Sequence, residues 1–270
     1  MQPEEFFNIF LSELESNTEL RGYYRFLNQK SLFEYRKAYF CQRLNYIYKN
    51  INNKNNKILD IGCGFGTTGI FLALNGYSVC GTTLEYYYEQ ISKRLDFWKN
   101  HGDTSLFTVK YENLFDSPPP LSYYDIIILQ DVLHHLEPLE KALNIINNSL
   151  TKNSKLIVCE ENGNNILNNF RLFIKRGNKK IINIYDEKLK KNILLGNENI
   201  KDVDTWEKVF SKFNLEINYN SLQYIRLYPP FIINDKNFNT LIKKEQNIWK
   251  KNSFLKKYFF HGINFIVEKN

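Results

Sequence analysis

The hydrophobic and polar positions divide the chain into two parts with different periods. Over residues 4–50, apolar and aromatic residues recur at helical spacing, as in "EFFNIFLSEL" and "SLFEYRKAYFCQRLNYIYKNI". After the polar linker "NNKNNK", short apolar runs alternate with amphipathic segments. This change of pattern predicts an N-terminal helical extension or lid over residues 1–56 and an α/β domain over residues 57–270.

The alternating part predicts a mostly parallel sheet with helices on both faces. Its first five strands are "KILDIG", "YSVCGTT", "LFTVKY", "YDIIILQ" and "KLIVCEE", and its helices are "TGIFLALNG", "LEYYYEQISKRLDFWKNHG" and "PLEKALNIINNSL". Strands and helices that alternate at this spacing imply right-handed crossovers and a doubly wound fold. The helix "DTWEKVFSKF" and the strands "LEINYNSLQYIRL" and "GINFIVEK" follow near the C-terminus.

Two insertions interrupt this alternation. Residues 163–202 are rich in Asn, Lys and Ile, and residues 229–258 contain the basic amphipathic stretch "FNTLIKKEQNIWKKNSFLKKY". Long insertions within a compact domain usually form lids or binding loops. We therefore expect both to lie near a site and to determine what it accepts.

Composition and charge narrow the class of protein. Hydrophobic residues make up 43% of the chain and aromatic residues 16%, which excludes an intrinsically disordered protein. The net charge is +7, and much of the excess lies in residues 175–191 and 243–257. Such clusters attract phosphate groups on nucleic acid, lipid or a metabolite, but solvated lysines on helix faces explain them more simply.

Cysteine usage and the N-terminus indicate a reducing compartment. The four cysteines, Cys41, Cys63, Cys80 and Cys159, show no C-x-x-C spacing, so we expect free thiols and neither a metal site nor a disulfide framework. The N-terminal stretch "MQPEEFFNIFLSELE" is acidic and its apolar run is interrupted, unlike a signal peptide or a transmembrane helix. The expected location is the cytoplasm.

A glycine-rich stretch, "ILDIGCGFGTTGI" at residues 58–70, follows two patterns at once. Gly64, Gly66 and Gly69 form G-x-G-x-x-G, the dinucleotide fingerprint, whereas Asp60, Gly62, Gly64 and Gly66 form D-x-G-x-G-x-G. The first pattern would leave Gly62 inside a strand and Asp60 buried without a role. The second ends the strand near residue 61 and leaves a carboxylate for a cationic ligand, an ammonium or a sulfonium.

The end of the second strand offers a ribose contact. Glu85 lies about twenty residues after the glycine loop, where an acid can accept hydrogen bonds from two ribose hydroxyls, and Thr83 could contribute instead or in addition. An alternative is purely structural. The stretch "TTLE" is also a capping box, with Thr82 as N-cap and Glu85 reaching back to it.

Several stretches together resemble the class I S-adenosylmethionine-dependent methyltransferases. The resemblance rests on "ILDIGCGFG", "YDIIILQDVLHHLEP" and "SLTKNSKLIVCEEN" in this order, and it covers residues 58–172 and residues 204 to the C-terminus. The final stretch "HGINFIVEK" agrees with the reversed strand that closes the family's sheet. The resemblance implies a Rossmann-like, seven-stranded, mostly parallel sheet with an antiparallel last strand. It also implies the cofactor S-adenosyl-L-methionine, with S-adenosyl-L-homocysteine as product.

The resemblance further implies which residues surround the cofactor. The methionine part would lie against the glycine loop, the ribose against Glu85, the adenine beside Asn113 and Leu114, and the methyl group near Gln130 and Asp131. Asn113 stands where the family commonly has an acid, although its side-chain carbonyl can still accept a hydrogen bond. With Thr83 added, the expected cofactor site comprises Asp60, Gly62, Cys63, Gly64, Gly66, Thr83, Glu85, Asn113, Leu114, Gln130 and Asp131.

Candidates for acceptor-side chemistry follow the fourth and fifth strands. Methyl transfer from a sulfonium is an in-line displacement, and oxygen or nitrogen acceptors often need a base. His134 and His135 are candidate bases, although His135 could simply organise the turn that follows. Glu160 and Asn162 lie at the same edge of the sheet, and Glu160 could equally be a solvated strand end. Four residues of the extension could close over the site: Tyr23, Tyr24, Tyr35 and Arg36.

The leading hypothesis is a methyltransferase for a small-molecule or lipid-like acceptor. The stretch "GTTLEYYYEQ" resembles the G-x-T-x-S segment of the cyclopropane fatty-acid synthase branch, with Glu in place of Ser. A nucleic-acid methyltransferase, chiefly for RNA, would explain the basic insertions. However, "LQDVLHH" stands where an N/D-P-P-Y/F tetrad would be expected. A non-catalytic interaction module with the same fold is a third hypothesis, and the acceptor atom and the oligomeric state stay open.

Overall fold

The N-terminal part of the chain is helical, as the pattern predicts. The computed structural model describes residues 1–28, 30–84, 88–234 and 236–269. Helix α2 begins at an N-cap, because the Asn17 side chain accepts a hydrogen bond from the backbone N–H of Leu20 at 3.0 Å. The three helices are α1 (Pro3–Ser16), α2 (Thr18–Tyr24) and α3 (Phe33–Lys49), with a 3₁₀ turn at Lys30–Leu32.

The remainder alternates strands and helices. Its strands are β1 (Ile58–Ile61), β2 (Val79–Thr83), β3 (Phe107–Tyr111), β4 (Tyr124–Gln130), β5 (Leu150–Glu161), β6 (Ile181–Asp186), β7 (Lys191–Gly196), β8 (Leu215–Ile225) and β9 (Gly262–Lys269). Its helices are α4 (Thr67–Leu74), α5 (Tyr88–Trp98), α6 (Leu139–Ser149), α7 (Ile166–Arg176), α8 (Val203–Ser211), α9 (Phe238–Lys251) and α10 (Ser253–Tyr258), with 3₁₀ turns at Lys99–His101, Leu133–His135 and Pro230–Ile232.

Within the described residues the main sheet has seven strands, in the order β3-β2-β1-β4-β5-β9-β8. Strands β1 to β5 pair in parallel, and β9 runs antiparallel to both β5 and β8. The predicted fold class is therefore confirmed. The strand order reverses between β1 and β4, and open α/β sheets bind ligands outside the carboxyl ends of the strands at such a point.

The two faces of the sheet are covered by separate hydrophobic clusters. On one face, α1, α3, α4 and α5 pack on β1, with Phe6, Phe10, Phe71 and Trp98 fully buried. On the other face, α6 and α8 pack on β4 and β5 around the buried Trp206. Because α1 and α3 share the first cluster with β1, the N-terminal helices are part of the core.

Both insertions contain regular structure that their sequences did not indicate. The first forms α7 and an antiparallel hairpin of β6 and β7. The second forms α9 and α10, and α9 is held against α3 and β8 by Glu245, which accepts hydrogen bonds from the Tyr39 hydroxyl at 2.5 Å and the Leu227 amide at 2.8 Å. No helix within the described ranges has the length and apolar character needed to cross a bilayer. All four cysteines are free.

Candidate active site

A cavity of about 1150 Å³ opens at the carboxyl edge of the sheet, at the point where the strand order reverses. The loops after β1, β2, β3 and β4 form its floor. Residues of α2, α3, the β6–β7 hairpin and the end of β8 form much of the rest of its wall. The N-terminal helices and the first insertion thus cover the cavity on two sides.

Asp60 is a buried carboxylate on the wall of this cavity. It lies in β1, is 2% exposed, and its Oδ2 atom has no hydrogen-bond partner within the described residues. Burial raises its pKa from 3.8 to about 7. Gly64 follows at the wall with φ +53°, and a Cβ built there would meet nothing within 4 Å. An acid without a partner beside open space is suited to a cationic ligand.

The other loop glycines serve packing. A Cβ on Gly62 would lie 2.4 Å from Cγ2 of Val132, so glycine at this position lets the loop after β4 pack closely against the loop after β1. Cβ atoms on Gly66 and Gly69 would lie 2.6 Å and 2.2 Å from ring atoms of Phe107. Gly69 and Gly66 are therefore packing glycines, and Gly66 lies off the cavity wall. Gly62 and Gly64 line the cavity, and of these two only Gly64 has open space where a Cβ would lie.

These residues fit the cofactor that the resemblance implies. The methionine part of S-adenosyl-L-methionine carries an ammonium group, which would supply the partner that Asp60 lacks. A pyrophosphate there would face a carboxylate instead of a cation. The wall at this point also includes Cys63, whose backbone N–H donates to the Thr82 carbonyl at 2.9 Å and holds the loop onto β2.

The ribose and adenine side is formed by β2 and the loop after β3. Thr83 is buried at the cavity wall, whereas Glu85 lies outside the described residues. The capping-box alternative is wrong, because Thr82 lies within β2 and is paired with Ile61, so it does not start a helix. Asn113 and Leu114 line the cavity, and the Asn113 side-chain oxygen accepts the backbone N–H two residues later at 2.9 Å.

A buried network joins the N-terminal helices to the glycine loop. The Arg94 guanidinium pairs with Glu13 of α1 at 2.7 Å and also donates to the Phe65 carbonyl and the Thr67 hydroxyl, each at 2.7 Å. The same hydroxyl bonds to Tyr24 Oη at 2.7 Å. Burial raises the pKa of Tyr24, so it is a neutral phenol. Of the extension residues named from the sequence, those on the cavity wall are Tyr23, Tyr24 and Arg36; Tyr35 lies off it.

The end of β4 carries a charged pair that the sequence did not reveal. The two terminal guanidinium nitrogens of Arg43, in α3, donate to the two carboxylate oxygens of Asp131. The bond from Nη2 to Oδ1 is 2.9 Å long. Burial opposes ionisation of Asp131, but the Arg43 charge outweighs it and lowers the pKa of the carboxyl. Gln130 lines the cavity too and accepts from the Thr68 hydroxyl at 2.8 Å. Arg43 occupies the apolar stripe of α3, four residues after Tyr39, which was the available signal.

Glu160 and His134 form a buried pair behind the cavity wall. One carboxylate oxygen of Glu160 accepts the backbone N–H groups of Val132 and Leu133 at 3.1 and 2.7 Å, and the other lies 2.5 Å from His134 Nδ1. Glu160 is fully buried, so the alternative of a solvated strand end is wrong. Burial lowers the pKa of His134, but the carboxylates of Glu160 and others outweigh it and raise the pKa to about 9. Neither side chain lines the cavity.

His135 lies on the cavity wall and contacts the hairpin. Its Nδ1 atom is 2.8 Å from the carbonyl oxygen of Gly196, the last residue of β7. A bridge between Leu136 and Leu195 fixes the same approach. A Cβ on Gly196 would lie 2.0 Å from the His134 carbonyl oxygen, so only glycine allows the hairpin to come this close. Nothing in the sequence connects Gly196 with the histidines.

Asn162, which the sequence suggested for the acceptor side, lies off the cavity wall, whereas Arg226, which it did not suggest, lies on the wall. Asn162 is buried off the wall, where its side-chain amide donates to the carbonyls of Lys257 and Phe260 at 3.0 and 2.9 Å. Arg226 lies on the wall directly after β8, and its Nε atom has no hydrogen-bond partner within the described residues. Burial and the charge of Arg43 lower the pKa of Arg226. The edge rule for parallel sheets could have identified Arg226.

The described residues contain no cluster of three or more His, Cys, Asp or Glu side chains arranged to hold a metal ion. The polar residues on the wall carry carboxylates, amides, hydroxyls, one imidazole, one ammonium group and several guanidinium groups. This set can bind a cationic cofactor at one end and an anionic or proton-bearing molecule at the other.

Residues 32–218 match the family described as "Methyltransferase domain". Among solved structures, YcgJ protein from Bacillus subtilis has a TM-score of 0.56 at 15% identity, and the match covers 85% of this chain and 98% of that one. Phosphoethanolamine N-methyltransferase 2 from Haemonchus contortus, solved with S-adenosyl-L-methionine, has a TM-score of 0.55 at 14% identity over 84% and 52% of the two chains.

A curated relative is more similar in sequence over a shorter stretch. It is "Histidine protein methyltransferase 1 homolog" from Dictyostelium discoideum, which is 30% identical over 126 residues. The match covers 44% of this chain, and this chain spans 39% of the length of that relative.

Proposed function

The chain belongs to the methyltransferase-domain family and is an S-adenosyl-L-methionine-dependent methyltransferase, and we propose that its acceptor is a small molecule with an anionic group. The carboxylate or phosphate of the acceptor would bind Arg226, and its nucleophilic atom would lie beside His135. The observation that carries this proposal is Arg226, a desolvated cation on the cavity wall. No carboxylate among the described residues lies within ion-pair distance of it.

The strand order supports assigning Arg226 to the acceptor. The expected cofactor residues follow β1, β2, β3 and β4, whereas Arg226 follows β8 at the far end of the sheet, beyond β5 and β9. Arg43, whose charge lowers the pKa of Arg226, is already paired with Asp131. A partly buried guanidinium costs free energy unless it is paired, and an anionic acceptor would supply that pair.

The orientation of the His135 imidazole suits it to act as the base. A carbonyl oxygen only accepts hydrogen bonds, so Nδ1 carries a proton toward Gly196, and in the neutral imidazole the lone pair is then on Nε2. Bound S-adenosyl-L-methionine supplies the methyl group on a sulfonium. His135 would take the proton of the acceptor nitrogen or oxygen, and the hairpin and α2 would exclude water.

His134 is better suited to position the turn than to act as a base. It is 4% exposed, it lies behind the wall, and its raised pKa keeps it protonated at neutral pH. With Glu160 it holds the backbone that carries His135. We assign both to positioning His135.

Other acceptor classes are less well supported. The name of the Dictyostelium relative refers to histidine in a protein, but α2 and the hairpin cover two sides of the cavity, which favours a small molecule. For nucleic acid, the basic stretch of residues 243–257 folds into α9 and α10, and none of its lysines lines the cavity. The second insertion therefore supplies no basic groove into the site, and of the lysines in residues 175–191 only Lys188 lines the cavity.

The test compares pairs of acceptors that share a nucleophile but differ in charge. The protein is incubated with labelled S-adenosyl-L-methionine and with 4-hydroxybenzoate or its amide, phosphoethanolamine or ethanolamine, and histidine or histamine. We expect turnover of a member that carries a carboxylate or phosphate, at least about tenfold over the partner that lacks this group, and loss of that preference in Arg226→Gln. Arg21→Gln, an exposed arginine off the wall, is the matched control.

Calorimetry with S-adenosyl-L-homocysteine separates cofactor effects from acceptor effects. Arg226→Gln should bind it as tightly as the wild type. If Arg226→Gln binds S-adenosyl-L-homocysteine more weakly but keeps the preference among acceptors, Arg226 binds the carboxylate of the cofactor's methionine part. That result would contradict the proposal. Equal turnover of charged and neutral partners, or no turnover of any of the six compounds, would contradict it as well.

A further inference from the structure

Helix α7 turns its apolar side to solvent. Five large apolar residues lie on that side at helical spacing and are between 50% and 70% exposed: Ile166, Leu167, Phe170, Phe173 and Ile174. The apolar side of an amphipathic helix in a globular protein normally faces the core. Here the usual arrangement is reversed over about three turns.

The polar side of α7 attaches it to the fold. The Asn165 side chain caps the helix by accepting the Asn168 N–H at 2.8 Å, and the Asn168 side chain donates to Glu161 of β5 at 2.6 Å. Asn168 and Leu172 are buried on this side. These bonds orient the helix, so its apolar side is held outward by specific contacts.

The segment that carries most of this surface is basic, and Asp186 and Glu187 follow it in the hairpin. Residues 162–185 contain no Asp or Glu and carry five cations, Arg171, Lys175, Arg176, Lys179 and Lys180. The adjoining hairpin extends the apolar area with four residues that are 40% to 53% exposed: Ile181, Ile184, Tyr185 and Leu194. We call the nine exposed apolar residues and these five cations the α7 surface.

We propose that the α7 surface docks the protein on a membrane that contains anionic lipid. An apolar stripe flanked by Lys and Arg is the composition of helices that lie in the plane of the bilayer interface. Helix α7 has 11 residues and is about 16 Å long, roughly half the thickness of the hydrocarbon core, so it would lie along the interface.

Charge complementarity favours a lipid surface over a second copy of the chain. A two-fold dimer through this surface would bring like residues of both copies together, with ten cations and no acid from residues 162–185. Anionic headgroups would neutralise the same cations. This docking is independent of which acceptor is methylated, although the hairpin residues Ile184, Tyr185 and Leu194 also line the cavity.

Vesicle flotation of the full chain tests the proposal. The protein should float with vesicles of about 30% phosphatidylglycerol in phosphatidylcholine and much less with phosphatidylcholine alone. Phe170→Glu should lower the partition coefficient at least about tenfold. Leu121→Glu changes an apolar residue that is 76% exposed in the loop before β4, and it should leave binding unchanged.

Two further variants test the contribution of the cations and the insertion of the apolar side into the bilayer separately. Lys179→Gln with Lys180→Gln should lower partition by about fivefold for each cation removed. Phe170→Trp should give added, blue-shifted emission only with anionic vesicles. Unchanged S-adenosyl-L-homocysteine binding and melting temperature would show that each variant is folded.

The proposal is overturned if folded wild type does not float, or if Phe170→Glu floats as well as the wild type. A wild-type dimer in light scattering that Phe170→Glu converts to a monomer, without vesicle binding, would assign the surface to self-association instead.

Discussion

The Nδ1 atom of His135 lies 2.8 Å from the carbonyl oxygen of Gly196, although 61 residues separate the two in the chain. The contact joins the turn after β4 to the end of the inserted hairpin, and it determines which nitrogen of the imidazole faces the cavity with a lone pair. The insertion thus completes the candidate active site as well as covering it.

Gly196→Ala should separate the hairpin from this turn. A Cβ would lie 2.0 Å from the His134 carbonyl oxygen, so the backbone must shift and the His135 contact must lengthen. We expect kcat to fall at least about tenfold with the acceptor identified from the charged and neutral pairs, with cofactor affinity retained. The control is Gly177→Ala, in the same insertion. It is strained by its φ of +58° but has no atom within 4 Å, so it should lower stability by about 1–3 kcal/mol and leave kcat unchanged.

His135→Gln tests the proposed base. Removal of a general base typically lowers kcat by about 10²–10⁴-fold. The cofactor dissociation constant should not change, because His135 lies on the acceptor side of the expected cofactor residues. Steady-state kinetics and calorimetry separate the two effects. A large loss of cofactor affinity would show that His135 binds the cofactor instead.

His134→Gln should change stability in a way that depends on pH. The pKa of His134 is raised from 6.5 to about 9, so its protonated form contributes stability that is fully present below pH 6.5 and is lost as the pH rises through 9. The variant should be less stable than the wild type by on the order of 3 kcal/mol at low pH, and the difference should shrink as the pH rises from 6.5 to about 9. Urea unfolding at several pH values measures it. A difference that does not vary with pH would contradict the assignment of charge.

Asp60 predicts opposite trends for stability and for cofactor binding. Its pKa is raised from 3.8 to about 7, so the folded protein retains the proton and loses stability as the pH rises across that interval. Asp60→Asn should abolish this loss, which is at most about 4 kcal/mol. Binding of the ammonium group needs the ionised form, so S-adenosyl-L-homocysteine affinity should rise by about tenfold per pH unit up to pH 7. Affinity that is flat with pH would refute the contact.

Gly64 and Gly69 separate a glycine that faces the cavity from one that serves packing. Gly64→Arg would project from a backbone with φ +53° into the cavity, so cofactor binding should be lost at a cost of about 1–2 kcal/mol in unfolding free energy. Gly69→Ala would place a methyl group 2.2 Å from the Phe107 ring. It should destabilise the fold by about 1–3 kcal/mol. If Gly64→Arg binds the cofactor normally, the loop does not hold it.

The residues at the ends of the parallel strands could be predicted from local sequence, because one rule of sheet geometry applies to all of them. The carboxyl ends of parallel strands meet at one edge, so Asp60, Thr83, Asn113 and Gln130 could be placed together once their strands were recognised. The same rule placed Glu160 there but could not say which way its side chain points. Glu160 turns away from the cavity to bind backbone amides and His134.

The sequence by itself determined the alternation of strands and helices and the end of β1 at Ile61, because these depend on periodicity and on turn residues close in the chain. The reversed last strand was implied by the family resemblance. Only the tertiary structure decided which histidine faces the cavity, that Arg43 pairs with Asp131, and that the first insertion folds into α7 and a hairpin. The physical reason is the separation along the chain of the residues in contact. These outcomes rest on contacts between residues tens of positions apart, where burial and close approach select one arrangement among several that local propensity allows.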